Sequence, residues 1–111
     1  MASHPDPDLD KLIRKAIQSK HLMRLIYQSK DRVIEPHDYG IHKGVVKVLA
    51  YQVRGASTGR LPGWRWLEVS GISDAHLMEE TFPGNRPPPS GEHHQWDEIF
   101  IRVGASEKAA R

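Results

Sequence analysis

Leu22-Met23-Arg24-Leu25-Ile26-Tyr27, Arg32-Val33-Ile34-Glu35-Pro36, Val45-Val46-Lys47-Val48-Leu49-Ala50-Tyr51-Gln52-Val53 and Gly63-Trp64-Arg65-Trp66-Leu67-Glu68-Val69 decide the fold of this chain. Each is a short run rich in β-branched and aromatic residues, and each is bounded by turn formers, as strands are. The first two runs, read as strands over 22–28 and 32–36, are joined by the short polar loop Ser29-Lys30-Asp31, which predicts a hairpin. Pro36 is expected to end the second strand, because proline cannot donate to a ladder. The longest strand is predicted over 45–53, entered through Gly44 and left through Gly55, with both faces largely apolar. Residues 55–63 read as a flexible connection and 64–69 as a fourth strand. There, Leu67 and Val69 face inward, Arg65 falls near the mouth of a barrel, and Trp64, Trp66 and Glu68 take the opposite face.

Outward from this centre, Asp6 and Pro7 form a helix start, with Asp8 and Asp10 at the positive end of the dipole. Leu9, Leu12, Ile13, Ala16 and Ile17 then make one apolar stripe, to be buried on the sheet or across a barrel end. Residues 73–82 fit either a capped helical turn or a fifth strand. A proline-rich loop follows over 83–91, and Ile99, Ile101 and Val103 alternate with polar and aromatic neighbours as a half-buried strand over 98–103. The expected organisation is a leader over 1–7, a domain over 8–84, a loop with an added strand over 85–103, and a polar tail over 104–111. The fold class predicted is mainly β with an N-terminal helix, arranged as a small Sm-like (SH3-like) β-barrel.

Composition bounds the function. A chain of 111 residues is one domain, able to bury roughly two-thirds of its unfolded surface. With no cysteine there is no disulfide, thiolate nucleophile or Cys-zinc site. The N-terminus lacks the basic and apolar regions of a signal peptide, and no apolar run approaches the roughly 20 residues that span a bilayer. The expectation is a cytoplasmic protein with no membrane partner.

Between Tyr39 and Leu67 there is no acid, while Lys43, Lys47, Arg54, Arg60 and Arg65 all fall there; acids dominate from Glu68 to Glu80. This asymmetry suggests one positive face, although solvated sides of strands explain the same charges. The anion-binding candidates are Lys47, Arg54, Arg60 and Arg65, with Arg32 beside them, because guanidinium forks match phosphate. Trp64 is the candidate stacking ring, whereas Tyr27 and Tyr51 read better as core or wall. Interleaved cations and rings suit a nucleotide or single-stranded nucleic acid. Seven histidines raise a metal site, but His93-His94 point apart on a strand and His37, Asp38 and His42 match no zinc spacing. Surface histidine is the better reading, so neither metal nor cofactor is expected. Ser57, Ser70 and Ser73 lack a nucleophile elbow, and Gly55 and Gly59 make no phosphate-cradling loop, so no catalytic residue is assigned.

These residues also resemble a family. Leu25-Ile26-Tyr27, Arg32-Val33-Ile34-Glu35-Pro36, Tyr39-Gly40 with Gly44, Ala50-Tyr51, Arg65, Ile72 and Phe82 are similar to the WYL domain over about residues 10 to 84. The resemblance implies the Sm-like barrel and a ligand-sensing role in bacterial transcription regulation. Two segments depart from it. Val46-Lys47-Val48 stands where the family has Trp-Tyr-Leu, and Leu67-Glu68-Val69-Ser70-Gly71-Ile72 stands where it has Phe-Arg-Leu-Asp-Arg-Ile. Both arginines of the second segment are missing, so the family's effector site is not carried over intact. The family usually follows a helix-turn-helix; about ten residues precede the match here, which implies a stand-alone module. The alternative reading is a structural protein that forms a homo-oligomer through its strand edges.

Overall fold

In a computed structural model, residues 6–56, 60–84, 86 and 96–104 are described. Helix α1 (Pro7–Ser19) starts as its sequence dictates: Asp6 Oδ2 accepts the Leu9 N–H at 3.0 Å and proline occupies the first turn. It stops at Lys20, whose left-handed conformation (φ 58°) returns its N–H to the carbonyls of Ala16 and Ile17. Ile13, Ala16 and Ile17 are buried on the sheet. Each of the two isoleucines contributes roughly 1.5–3 kcal/mol, which is what holds a single helix in place. Tyr39 pins it further by donating to Asp10 Oδ1 at 2.6 Å.

Six antiparallel strands follow: β1 (His21–Tyr27), β2 (Lys30–His42), β3 (Val45–Gly55), β4 (Gly63–Glu68), β5 (Ile72–Thr81) and β6 (Glu98–Arg102). Their order is β4-β3-β2-β1-β5, with β6 also paired to β2. The first hairpin turns on Gln28 and Ser29 alone, both with positive φ (54° and 62°), so it is tighter than the three-residue loop expected.

Two expectations, the first and third below, are corrected, and one left open between two readings is decided. First, β2 does not end at Pro36 but runs on to His42. β1 pairs with β2 up to Ile34 and β6 pairs with it from Asp38, so the missing proline N–H falls where one neighbour hands over to the next. A register shift against β3 lies at the same place, between Pro36 and Asp38. Second, residues 73–82 resolve as strand β5; the turn signal at Ser73-Asp74 survives as a register shift and a left-handed Asp74 (φ 48°). Third, the sheet is not closed into a barrel: among the described residues β4 pairs only with β3, and β5 only with β1. The link between them is a 3-10 turn over Val69–Gly71. The two ends meet at one point. Tyr27 at the end of β1 accepts the Glu68 N–H on its hydroxyl at 3.0 Å, and its ring lies so close to Gly71 that a Cβ there would come within 3.0 Å.

Among the described residues no helix is long and apolar enough to cross a membrane. Most of the proline-rich loop and the tail from residue 105 lie outside the described residues.

Candidate anion-binding site

Strand alternation sorts the basic residues. Across the β3–β4 ladder Ala50 faces Arg65, Val48 faces Leu67 and Gln52 faces Gly63. Leu67 is buried, so Arg65 shares its inner face, as the alternation of the sequence predicted. Gln52 is fully buried and works as a hub. Its Nε2 donates to the carbonyls of Arg54 (3.1 Å) and Ala56 (3.0 Å), and its Oε1 accepts from Arg32 Nη1 at 3.1 Å.

Arg32 exposes only 4% of its surface. Its Nε donates to the Tyr27 carbonyl at 3.3 Å, its Nη2 to Gln28 Oε1 at 3.4 Å, and its guanidinium lies 5.4 Å from the Tyr27 ring centroid. All of these partners are neutral. Arg65 lies beside this group: Nη1 donates to the Trp64 carbonyl (2.8 Å) and Nη2 to the Arg60 carbonyl (2.9 Å). The fork rests over Gly63, where a Cβ would come within 3.0 Å of Nη1, and Gly63 is the residue paired with Gln52. Burial, and then the positive charge of Arg65, hold the Arg32 pKa below its ordinary value. The result is a pair of guanidiniums at one end of the sheet, the deeper one with no carboxylate partner among the described residues.

The remaining sequence candidates are spread elsewhere. Arg54 forms an ion pair with Glu80 of β5 at 2.5 Å, both side chains about half exposed. Arg60 is exposed and joins the site through its carbonyl. Lys47 is on the outer face, where its Nζ lies 5.5 Å from the Trp66 ring and donates to His42 Nδ1 at 3.3 Å. Trp64 is on that face too, half-buried and edge-on to His37 (4.9 Å) and Tyr51 (5.3 Å). Lys47 and Trp64 therefore share one face of the β3–β4 ladder, and Arg65 takes the other. Sequence reading missed Gln52, which lies inside an apolar run and carries no charge to flag it. Tyr27, read as wall, also serves as a carbonyl acceptor and ring beside Arg32.

A second polar group is buried on β2. Glu35 accepts two hydrogen bonds from Arg86 at 2.7 Å each, and Arg86 stacks over Tyr51 at 4.1 Å. His37, expected at the surface, is 1% exposed and stacks on Phe82 at 5.4 Å. Its Nδ1 is 2.9 Å from the Glu35 carbonyl, to which it donates, while Nε2 is buried without a hydrogen bond among the described residues. An open cavity of about 350 Å³ between α1 and β5 is rimmed by Asp6, Asp8 and Asp74 and repels anions. Among the described residues no group of three or more His, Asp or Glu can hold a metal ion; His93 and His94 lie outside them. Compared with family models, curated proteins and solved structures, the chain matches none.

Proposed function

We propose that this chain is a WYL-like module of Sm-like architecture. It has no catalytic role and binds the phosphate of a nucleotide or of single-stranded nucleic acid at Arg32 and Arg65. The observation that carries the proposal is Arg32, 96% covered yet held by neutral acceptors with a second guanidinium beside it. A buried charge costs several kcal/mol in lost hydration unless an opposite charge offsets it, and an incoming phosphate supplies that charge. What supports the Sm-like reading is the strand order. β5 returns to lie beside β1, so that only β4 and β5 remain to be joined in a small barrel.

Anisotropy of labelled single-stranded DNA and RNA, at low and at physiological salt, tests the site. Binding is expected to saturate, to weaken with salt, and to fall about tenfold in Arg65→Ala at unchanged melting temperature. If that variant binds like the parent protein, the site is wrong.

Assembly through edges is a second reading, favoured by the two strands, β4 and β5, that each pair on one side only among the described residues. Light scattering across a concentration series reads it directly, since assembly requires mass to rise with concentration in the absence of ligand.

A further inference from the structure

We propose that His37 is a proton-operated latch: a proton taken up at its Nε2 frees Phe82 and Arg86 from the outer face of the sheet and uncovers His37 and Tyr51.

The ring is closed in on several sides. His37 is 1% exposed, and its carbonyl accepts the Val103 N–H at 2.8 Å. Trp64 meets the ring edge-on at 4.9 Å, and Phe82 stacks on it at 5.4 Å with the planes 22° apart. Nδ1 already donates to the Glu35 carbonyl at 2.9 Å. The proton therefore goes to Nε2, which is buried with no partner among the described residues. An imidazolium formed there has an N–H without an acceptor and a charge without water, and both are costly in a protein interior.

One part of this cover is free to leave. Trp64 is held in the β3–β4 ladder opposite Tyr51. Phe82 lies just past the end of β5, where its N–H donates to the Lys20 carbonyl at 2.9 Å. Arg86 is fastened by its guanidinium, through two bonds of 2.7 Å to Glu35 and by stacking over Tyr51 at 4.1 Å. Displacing Phe82 thus lets water reach Nε2 while the ladders stay paired.

The charges around the ring couple the two fastenings. Glu35 and Asp38 favour a proton on His37 and Arg86 opposes it; Asp38 is itself engaged by Arg102 at 3.0 Å. A charged His37 draws on the same Glu35 carboxylate that holds Arg86, so the proton weakens the ion pair as it loosens the ring stack. Burial keeps the His37 pKa below its ordinary value while Phe82 is in place. Once Phe82 leaves, the ring takes the proton readily, so falling pH favours the open form.

Amide hydrogen exchange read by NMR on the intact protein, expressed as protection factors between about pH 7.5 and 5.5, tests the latch. Phe82 is expected to lose protection by up to about tenfold over that interval, the ceiling for one proton taken up below an ordinary pKa near 6.5. Amides of the β1–β2 ladder are expected to keep theirs. Imidazole nitrogen shifts are expected to place proton uptake by His37 at the same pH as the loss at Phe82. His37→Asn keeps a donor for the Glu35 carbonyl and is expected to hold the Phe82 protection flat. Should that variant not fold, the two measurements on the parent protein decide alone. Proton uptake with Phe82 still protected overturns the latch. So does a loss shared equally by the β1–β2 ladder, which makes His37 a contributor to global stability only. A His37 that stays neutral throughout the interval overturns it as well.

Discussion

Glu35 shows how a carboxylate is kept in a sheet interior. Its side chain is 5% exposed, and it is compensated by the two-pronged Arg86, whose own side chain is 38% exposed. Removing the arginine strands a charge in a low-dielectric site. Arg86→Ala is therefore expected to cost about 2 kcal/mol in denaturant unfolding, below the full buried-pair penalty because water screens the arginine side. Adding Glu35→Gln to that variant is expected to recover part of the loss; a further drop would show that Arg86 acts by covering Tyr51 instead. His37 gives a pH signature. Burial first, then Arg86, depress its folded pKa below the ordinary 6.5, against the pull of the Glu35 carbonyl and the Glu35 and Asp38 charges. A base with a depressed folded pKa leaves the unfolded state to take up the proton first. Its contribution is thus complete above about pH 6.5 and is lost as pH falls below that value, with a slope of up to about 1.4 kcal/mol per pH unit. His37→Asn keeps a donor for the Glu35 carbonyl and removes the titration, so its unfolding free energy is expected to lack that slope between about pH 5 and 6.5.

At the scale of the element, the β1–β2 hairpin pays conformational strain at Gln28 and Ser29, both left-handed without being glycine. Ser29→Gly is expected to raise stability by roughly 0.5–1 kcal/mol, because the type of turn stays and the steric cost at one position goes. A fall in melting temperature would mean that the Ser29 side chain contributes more than its backbone costs. Much of this level was legible in the chain. The stripe from Leu9 to Ile17 gave the helix and its buried face, and alternation placed Arg65 with Leu67. Pro36 misled, because proline breaks a strand only where a neighbour needs its N–H, and which neighbour flanks a residue is a tertiary fact. The candidate site was half legible for the same reason. Arginines announce themselves by charge, but that Arg54 is committed to Glu80 and Arg32 to neutral acceptors depends on which strands the fold sets side by side.

At the scale of the molecule, an open sheet with adjacent ends is held by a side chain where a ladder is missing. Tyr27→Phe keeps the ring beside Gly71 and Arg32 and deletes only the hydroxyl that receives the Glu68 N–H. The expected cost is about 1 kcal/mol, with faster amide exchange localised at Glu68. Exchange there at the parental rate would show that the two ends are held by packing alone.

The handover on β2 has a consequence for change. Arg32 bonds to Gln52 at one end of the strand, and Asp38 to Ile41 pair with β6 at the other. Between them lie Pro36 and the shifted register against β3, a place where the strand already carries an irregularity. That irregularity insulates the two halves as a firebreak does. Lengthening, shortening or re-threading the segment that delivers β6 disturbs pairing only as far as Asp38, and the guanidinium pair keeps its alignment. One continuous strand thus offers two independently editable territories, one paired with β1 and the other with β6.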